Sequence, residues 1–207
     1  MSQHDGDNQA ISFPPAAFDI VAMAASAGGL NALLHVLQQL PGDFPAAILI
    51  VQHLDPRHRS LMADILRRRT SLHVKEAAAG DRLQPGHVLV APPNQHLLVN
   101  PDGTISLSQS QLVHFVRPSA DLLFESVAAS YQQRAIAVVL TGTGSDGSMG
   151  VRAIKKTGGT VIVEDEKTAE FSGMPASAIQ TRCVDFILPL DEIPPALMTL
   201  VMKGETT

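Results

Sequence analysis

Ser26, His53 and Asp146 are a hydroxyl, an imidazole and a carboxylate, and each follows an apolar run. Together such groups make a weak nucleophile act at neutral pH. The serine attacks a carbonyl, and the histidine takes its proton and later returns it to the leaving group. The carboxylate fixes the imidazole tautomer and stabilises the imidazolium. An unperturbed imidazole pKa of about 6.5 suits that transfer. Ser26 is followed by Ala27, Gly28 and Gly29, then by Leu30, Leu33, Leu34 and Leu37 at helical spacing. This pattern predicts a strand, a tight turn and a helix. The unsatisfied N–H groups of such a helix start lie beside the hydroxyl, as an oxyanion site requires. The same residues also fit an ordinary strand–helix turn with Ser26 as the N-cap. For His53, spacing leaves a catalytic base and a packed histidine equally open.

The elements that must position these groups alternate along the chain. Strand Phe18–Ala25 precedes helix Leu30–Leu40, and strand Ala46–Gln52 precedes a helix near Ser60–Arg69. Short extended pieces follow at His73–Glu76, His87–Ala91, Leu97–Val99 and Ile105–Leu107, the last two joined by the turn signal Asn100-Pro-Asp-Gly103. Arg117-Pro-Ser119 opens a helix running to about Gln133. Strand Ala135–Leu140, helix Met149–Thr157 and strand Thr160–Val163 come next. A short helix Ala176–Thr181, strand Asp185–Leu188 and helix Pro194–Met202 complete the series. The expected fold is α/β: a doubly wound, mostly parallel sheet flanked by helices, with an antiparallel β-hairpin insertion. In such sheets functional groups gather at the carboxyl ends of strands, where Ser26, His53 and Asp146 stand.

Composition narrows the function classes. The 207 residues are 45% hydrophobic and 17% charged, with a formal net charge of −5, which gives no electrostatic case for nucleic-acid binding. No apolar run reaches the roughly 18 residues of a membrane span. The one cysteine, Cys183, excludes an internal disulfide and reads as a small buried hydrophobe. No Cys/His cluster has metal-ligand spacing, so neither metal nor cofactor is expected. Residues 1–12 lack the features of a signal peptide, and the expected location is the cytoplasm. Of the other histidines, His4, His35, His73, His87 and His114 have no special context. His58 sits in the polar run Arg57-His-Arg59, and His96 could line the same cleft as the three strand ends. Arg67-Arg68-Arg69 reads as the basic end of a helix opposing its dipole, with docking of an acidic partner as the alternative.

A competing motif is Gly142-Thr-Gly144-Ser-Asp-Gly147, a literal G-x-G-x-x-G between a strand and a helix, with Glu164 and Asp165 at the end of the next strand. It would make the chain a dinucleotide-binding domain. Against this, Asp146 would stand inside a turn meant for a pyrophosphate, where like charges repel.

The ordered motifs carry more than any one of them. Ala25-Ser26-Ala27-Gly28-Gly29-Leu30, Val51-Gln52-His53, Arg117-Pro-Ser-Ala-Asp-Leu-Leu-Phe124, Leu140-Thr-Gly-Thr-Gly-Ser-Asp-Gly147 and Gly173-Met-Pro175 resemble, in order, the CheB-type chemotaxis receptor methylesterases. The resemblance covers about Asp19 to Leu200. It implies hydrolysis of glutamyl methyl esters on chemoreceptor cytoplasmic helices, with glutamine deamidation in some members. It makes Ser26 the nucleophile, His53 the base and Asp146 the orienting carboxylate, with Ala27, Gly28 and Thr143 lining the oxyanion and substrate site. Residues 17–203 would form the catalytic domain and 1–16 a disordered tail. Ala27 replaces the family's usual threonine or serine, and Thr143 its usual methionine. The receiver domain usual in the family is not found in these residues, so a separate or fused receiver domain is an expected partner. A catalytically silent receptor-binding adaptor is the remaining alternative.

Overall fold

The computed structural model describes residues 19–53 and 60–202. The expectations for residues 1–16, His4 and His58 lie outside them. The strands are β1 (Asp19–Ala25), β2 (Ala46–Gln52), β3 (His73–Glu76), β4 (His87–Val90), β5 (His96–Val99), β6 (Ile105–Ser108), β7 (Ala135–Val139), β8 (Thr160–Glu164) and β9 (Phe186–Leu188). The helices are α1 (Gly29–Gln38), α2 (Met62–Arg67), α3 (Ala120–Tyr131), α4 (Ser148–Lys156), α5 (Gly173–Gln180) and α6 (Ile193–Met202).

Seven strands form one sheet in the order β3-β4-β2-β1-β7-β8-β9, and every pairing in it is parallel. β3 and β4 therefore belong to the main sheet. The antiparallel insertion is the hairpin β5–β6 alone, which forms its own two-stranded sheet. The chain passes from β1 to β2, on to the edge strand β3, back to β4 between β2 and β3, and later to β7 on the other side of β1. The reversal of strand order falls between β1 and β7, where open α/β sheets hold their sites.

β1 and β2 are buried on both faces, as expected of central parallel strands. Alternate residues serve two cores. Ile20, Ala22 and Ala24 pack with Phe124 and Val127 of α3, Val151 of α4, Met174 of α5 and Leu97 of the hairpin. Val21, Met23 and Ala25 pack with Leu33 and Leu37 of α1, Leu66 of α2 and Leu197 of α6. Leu123, Val127 and Tyr131 share the buried face anticipated for α3. Gly173-Met-Pro175 begins α5 rather than preceding it; proline fits a first helical turn, where its missing N–H would be unpaired anyway. Cys183 is half-buried against the first core, less enclosed than its hydrophobic reading implied.

The contact between α3 and α4 sets where α3 begins, and so where the site begins. A β-carbon on Gly150 of α4 would stand 2.6 Å from Phe124 Cβ and 3.1 Å from Asp121 Cα. Gly150→Ala should therefore lower stability by about 1–3 kcal/mol through overpacking, although alanine is the better helix former by roughly 1 kcal/mol. Denaturant unfolding should show a lower midpoint at unchanged slope. A raised midpoint would mean that the two helices separate freely.

Candidate active site

Ser26 stands one residue past β1, and its backbone is fixed from three sides. Its N–H donates to the Thr141 carbonyl (3.0 Å), and its carbonyl accepts from Gly29 N–H (2.9 Å). Gln52 Nε2 donates to the same carbonyl (2.6 Å). The N-cap of α1 is Gly28, at φ +76°, a left-handed conformation that glycine adopts without strain. Ser26 therefore lies outside the cap, and no capping bond uses its hydroxyl. Among the described residues, the N–H groups of Ala27 and Gly28 have no acceptor within the protein. They are unpaired donors beside the serine.

His53 stands one residue past β2, and its N–H donates to the Ala25 carbonyl (3.2 Å) across the sheet end. Its Nε2 lies 2.8 Å from Asp146 Oδ2, and both side chains are largely enclosed, at 12% and 3% exposure. Donation of Nε2–H to that carboxylate leaves Nδ1 as the basic nitrogen. Among the described residues, no hydrogen bond joins His53 to Ser26 Oγ. Such contacts are often loose in a free enzyme and tighten with substrate.

Asp146 is held by the start of α3. Its Oδ1 accepts from Ser119 Oγ (2.8 Å) and Asp121 N–H (3.1 Å). Its Oδ2 accepts from Ala120 N–H (2.6 Å) as well as from His53. Burial alone would raise its pKa. The His53 hydrogen bond and the Ala120 and Asp121 N–H groups outweigh burial and hold the carboxyl below its ordinary value. The positive end of the helix dipole favours the same charged form.

Behind these groups lies a layer that the motif reading did not assign. His96, fully buried at the start of β5, accepts from Ser119 N–H at Nδ1 (3.1 Å) and reaches the Gln111 carbonyl from Nε2 (3.1 Å). This fixes the Nε2–H tautomer, and burial lowers its pKa. His96 thus does not line the cleft as a titrating group; it braces the residue that holds Asp146. Thr141 Oγ1 donates to the Ala27 carbonyl (3.0 Å) and accepts from Phe171 N–H (2.8 Å). Glu164 Oε2 accepts from Thr141 N–H (2.8 Å). The signal for Ser119 was its place before an apolar-periodic helix, the usual N-cap position.

At Gly142 the glycine loop is packed against protein rather than open to a phosphate. A β-carbon on Gly142 would meet Met174 Sδ and would stand 2.9 Å from Ser26 Cβ. Gly144 and Gly147 have φ of +87° and +98°, so these two glycines serve turn geometry. Asp146 points to α3, and Glu164 is buried on Thr141 rather than free for a ribose. Thr143 is exposed on the loop, its Cα close to Gly173. Arg67 closes α2 and pairs with Asp64 (2.8 Å), as expected of a basic helix end.

The sign of the Asp146 shift fixes a pH dependence. A carboxyl held below its ordinary pKa contributes stability that is complete above the unfolded value, near ~3.9, and is lost as pH falls through the folded value. Asp146→Asn should therefore be less stable than the wild type from neutral pH down to about pH 4, and the gap should close below that. Unfolding curves across this range measure it. A gap that does not shrink in acid would show that the charge of Asp146 contributes nothing.

The comparisons with known proteins follow this geometry. The family model described as CheB methylesterase matches residues 21–197. A crystal structure of the Thermotoga maritima CheB methylesterase catalytic domain superposes with a TM-score of 0.86 at 38% identity, covering 90% of this chain and 100% of that one. The protein-glutamate methylesterase/protein-glutamine glutaminase of Moorella thermoacetica is 42% identical over 187 residues, 88% of this chain but 44% of its own length. A Leptospira interrogans protein given the same name provisionally is 42% identical over 176 residues, 85% of this chain and 91% of its own length. The chain thus spans nearly the whole of one relative and about half of another, and it belongs to the CheB methylesterase family.

Proposed function

We propose that this chain is a serine hydrolase that removes methyl esters from glutamyl residues of chemoreceptor signalling helices in the cytoplasm. The observation that carries the reading is the enclosed His53–Asp146 pair at the strand-order reversal beside Ser26. The names of the relatives add glutamine deamidation as a second reaction of the same groups.

The chemistry follows from the groups. Ser26 Oγ attacks the ester carbonyl while its proton passes to His53 Nδ1, and Asp146 stabilises the resulting imidazolium. The carbonyl oxygen, now an oxyanion, is met by the N–H groups of Ala27 and Gly28. The C–O bond to the methoxy group breaks, and His53 returns the proton so that methanol leaves. Water then attacks the acyl-enzyme with His53 again as base, releasing glutamate and restoring Ser26. With glutamine the leaving group is ammonia. No step draws on a metal or cofactor. A receiver domain, separate or fused, is the proposed regulatory partner. No helix among the described residues is long and apolar enough to cross a membrane.

Ser26→Ala should abolish methanol release from a methylated receptor fragment. Groups that act as a unit lose nearly all their effect together, so kcat should fall by as much as ~10⁶-fold. Wild-type turnover in that variant would remove Ser26 from the mechanism, and a folded wild type without turnover would favour the adaptor. Asp146→Asn should lose at least ~10²-fold in kcat near neutral pH with receptor binding little changed. Calorimetry with NAD, NADP and ATP should show no heat of binding; a saturable site lost on mutating Gly144 would promote the dinucleotide-binding reading.

A further inference from the structure

Gln52 is the last residue of β2, and its side chain is buried. Its Nε2 donates to the backbone carbonyl of Ser26 (2.6 Å) and to that of His53 (3.2 Å). One amide group therefore spans the ends of two neighbouring strands. The Oε1 of the same amide is buried without a hydrogen-bond partner. It fills the space that a β-carbon on Gly29 would take, which ties the glycine after the serine turn to the glutamine before the histidine.

An unpartnered buried amide oxygen is unfavourable, and an apolar side chain of similar shape would avoid that penalty. What the glutamine gains in return is its two N–H contacts, and both end on the residues whose side chains must meet. Its orientation is forced, because the amide turned over would set Oε1 against two carbonyl oxygens. We infer that Gln52 is a positioning residue for the reaction: its amide clamps the Ser26 and His53 turns at the spacing that lets the hydroxyl reach the imidazole. The clamp acts through backbone carbonyls and touches no substrate. The Ser26 carbonyl has a second donor in Gly29 N–H (2.9 Å). Among the described residues, the His53 carbonyl has only Gln52.

This inference rests on the reading of Ser26 and His53 as nucleophile and base, and the experiment separates the two. Wild type, Ser26→Ala, Gln52→Met and Gln52→Glu are compared as the full chain on a methyl-esterified receptor fragment, with methanol release and thermal unfolding both recorded. Gln52→Met keeps the shape and removes both donors. Its kcat should fall ~10²-fold, as expected of a displacement of about 1 Å between reacting groups. KM should stay within about twofold, because ground-state binding is untouched. Its melting temperature should change little, since the penalty of the unpartnered oxygen leaves together with the two donated bonds. In Gln52→Glu an ionised carboxylate faces two carbonyl oxygens, so kcat at neutral pH should fall below that of Gln52→Met. Wild-type kcat in folded Gln52→Met, with Ser26→Ala inactive, would overturn the inference and leave the nucleophile in place. A lowered melting temperature with unchanged kcat per folded molecule would also overturn it, as the mark of a structural role only. If Gln52→Met does not fold, wild-type kcat in Gln52→Glu has the same force. Full turnover in Ser26→Ala would instead overturn the underlying assignment of the nucleophile.

Discussion

A carboxylate shielded from solvent needs its charge answered by fixed donors, and the site is built around answering that of Asp146. Four hydrogen bonds, one from a hydroxyl, two from the backbone at a helix start and one from an imidazole, occupy both oxygens. Three of the four come from residues 119–121, so the start of α3 is as much a part of the site as the strand ends are. This demand explains features that look unrelated. Ser119 is needed for its hydroxyl, His96 for holding the Ser119 backbone, and Gly150 for letting α4 approach α3 closely enough to fix the helix start. The imidazole is the last of the four donors.

The opposite side of the site follows a different rule. There the backbone itself is the structural material: Thr141, Gln52 and Gly29 hold the Ser26 turn through N–H and carbonyl groups. Close approach of main chains requires residues without side chains, and Gly142 against Ser26 meets that need. Of the glycines that resemble a phosphate cradle in sequence, Gly142 is explained by this packing and Gly144 and Gly147 by their left-handed turns. One composition thus suits two geometries, and the neighbours decide between them.

Most of the architecture was legible from residue patterns. β2 falls where apolar content and length put it, and the hairpin was signalled by Asn100-Pro-Asp-Gly103. Helix ends were less legible because caps depend on neighbours, as α1 shows: Gly28 supplies the cap, and the serine that sequence offered for it stands outside. The place of β3 and β4 in the main sheet was not legible, since four-residue strands carry no mark of their partners. The strand-end residues were legible as types, but residue patterns gave no sign of which of those ends meet; in the structure His53 lies against Asp146. The bracing layer of Gln52, Thr141, Ser119 and His96 was not, because its work is done through backbone partners distant in the chain, and no spacing rule connects them.

The reversal of strand order between β1 and β7 also bears on how the protein is made. β1 carries the serine near the beginning of the described chain, yet its second neighbour in the sheet is β7, with Ile20 beside Ala135. The helix start that holds Asp146 and the loop that carries it are likewise synthesised long after Ser26 and His53. A nascent chain emerging from the ribosome therefore displays Ser26 and His53 well before it has the carboxylate that pairs with His53. Contacts so distant in sequence form slowly, since a long loop must close before they give anything back. The His53–Asp146 pair thus forms late in synthesis, with the closing of the central pair of strands, and a product truncated before Ala135 has Ser26 and His53 without the carboxylate.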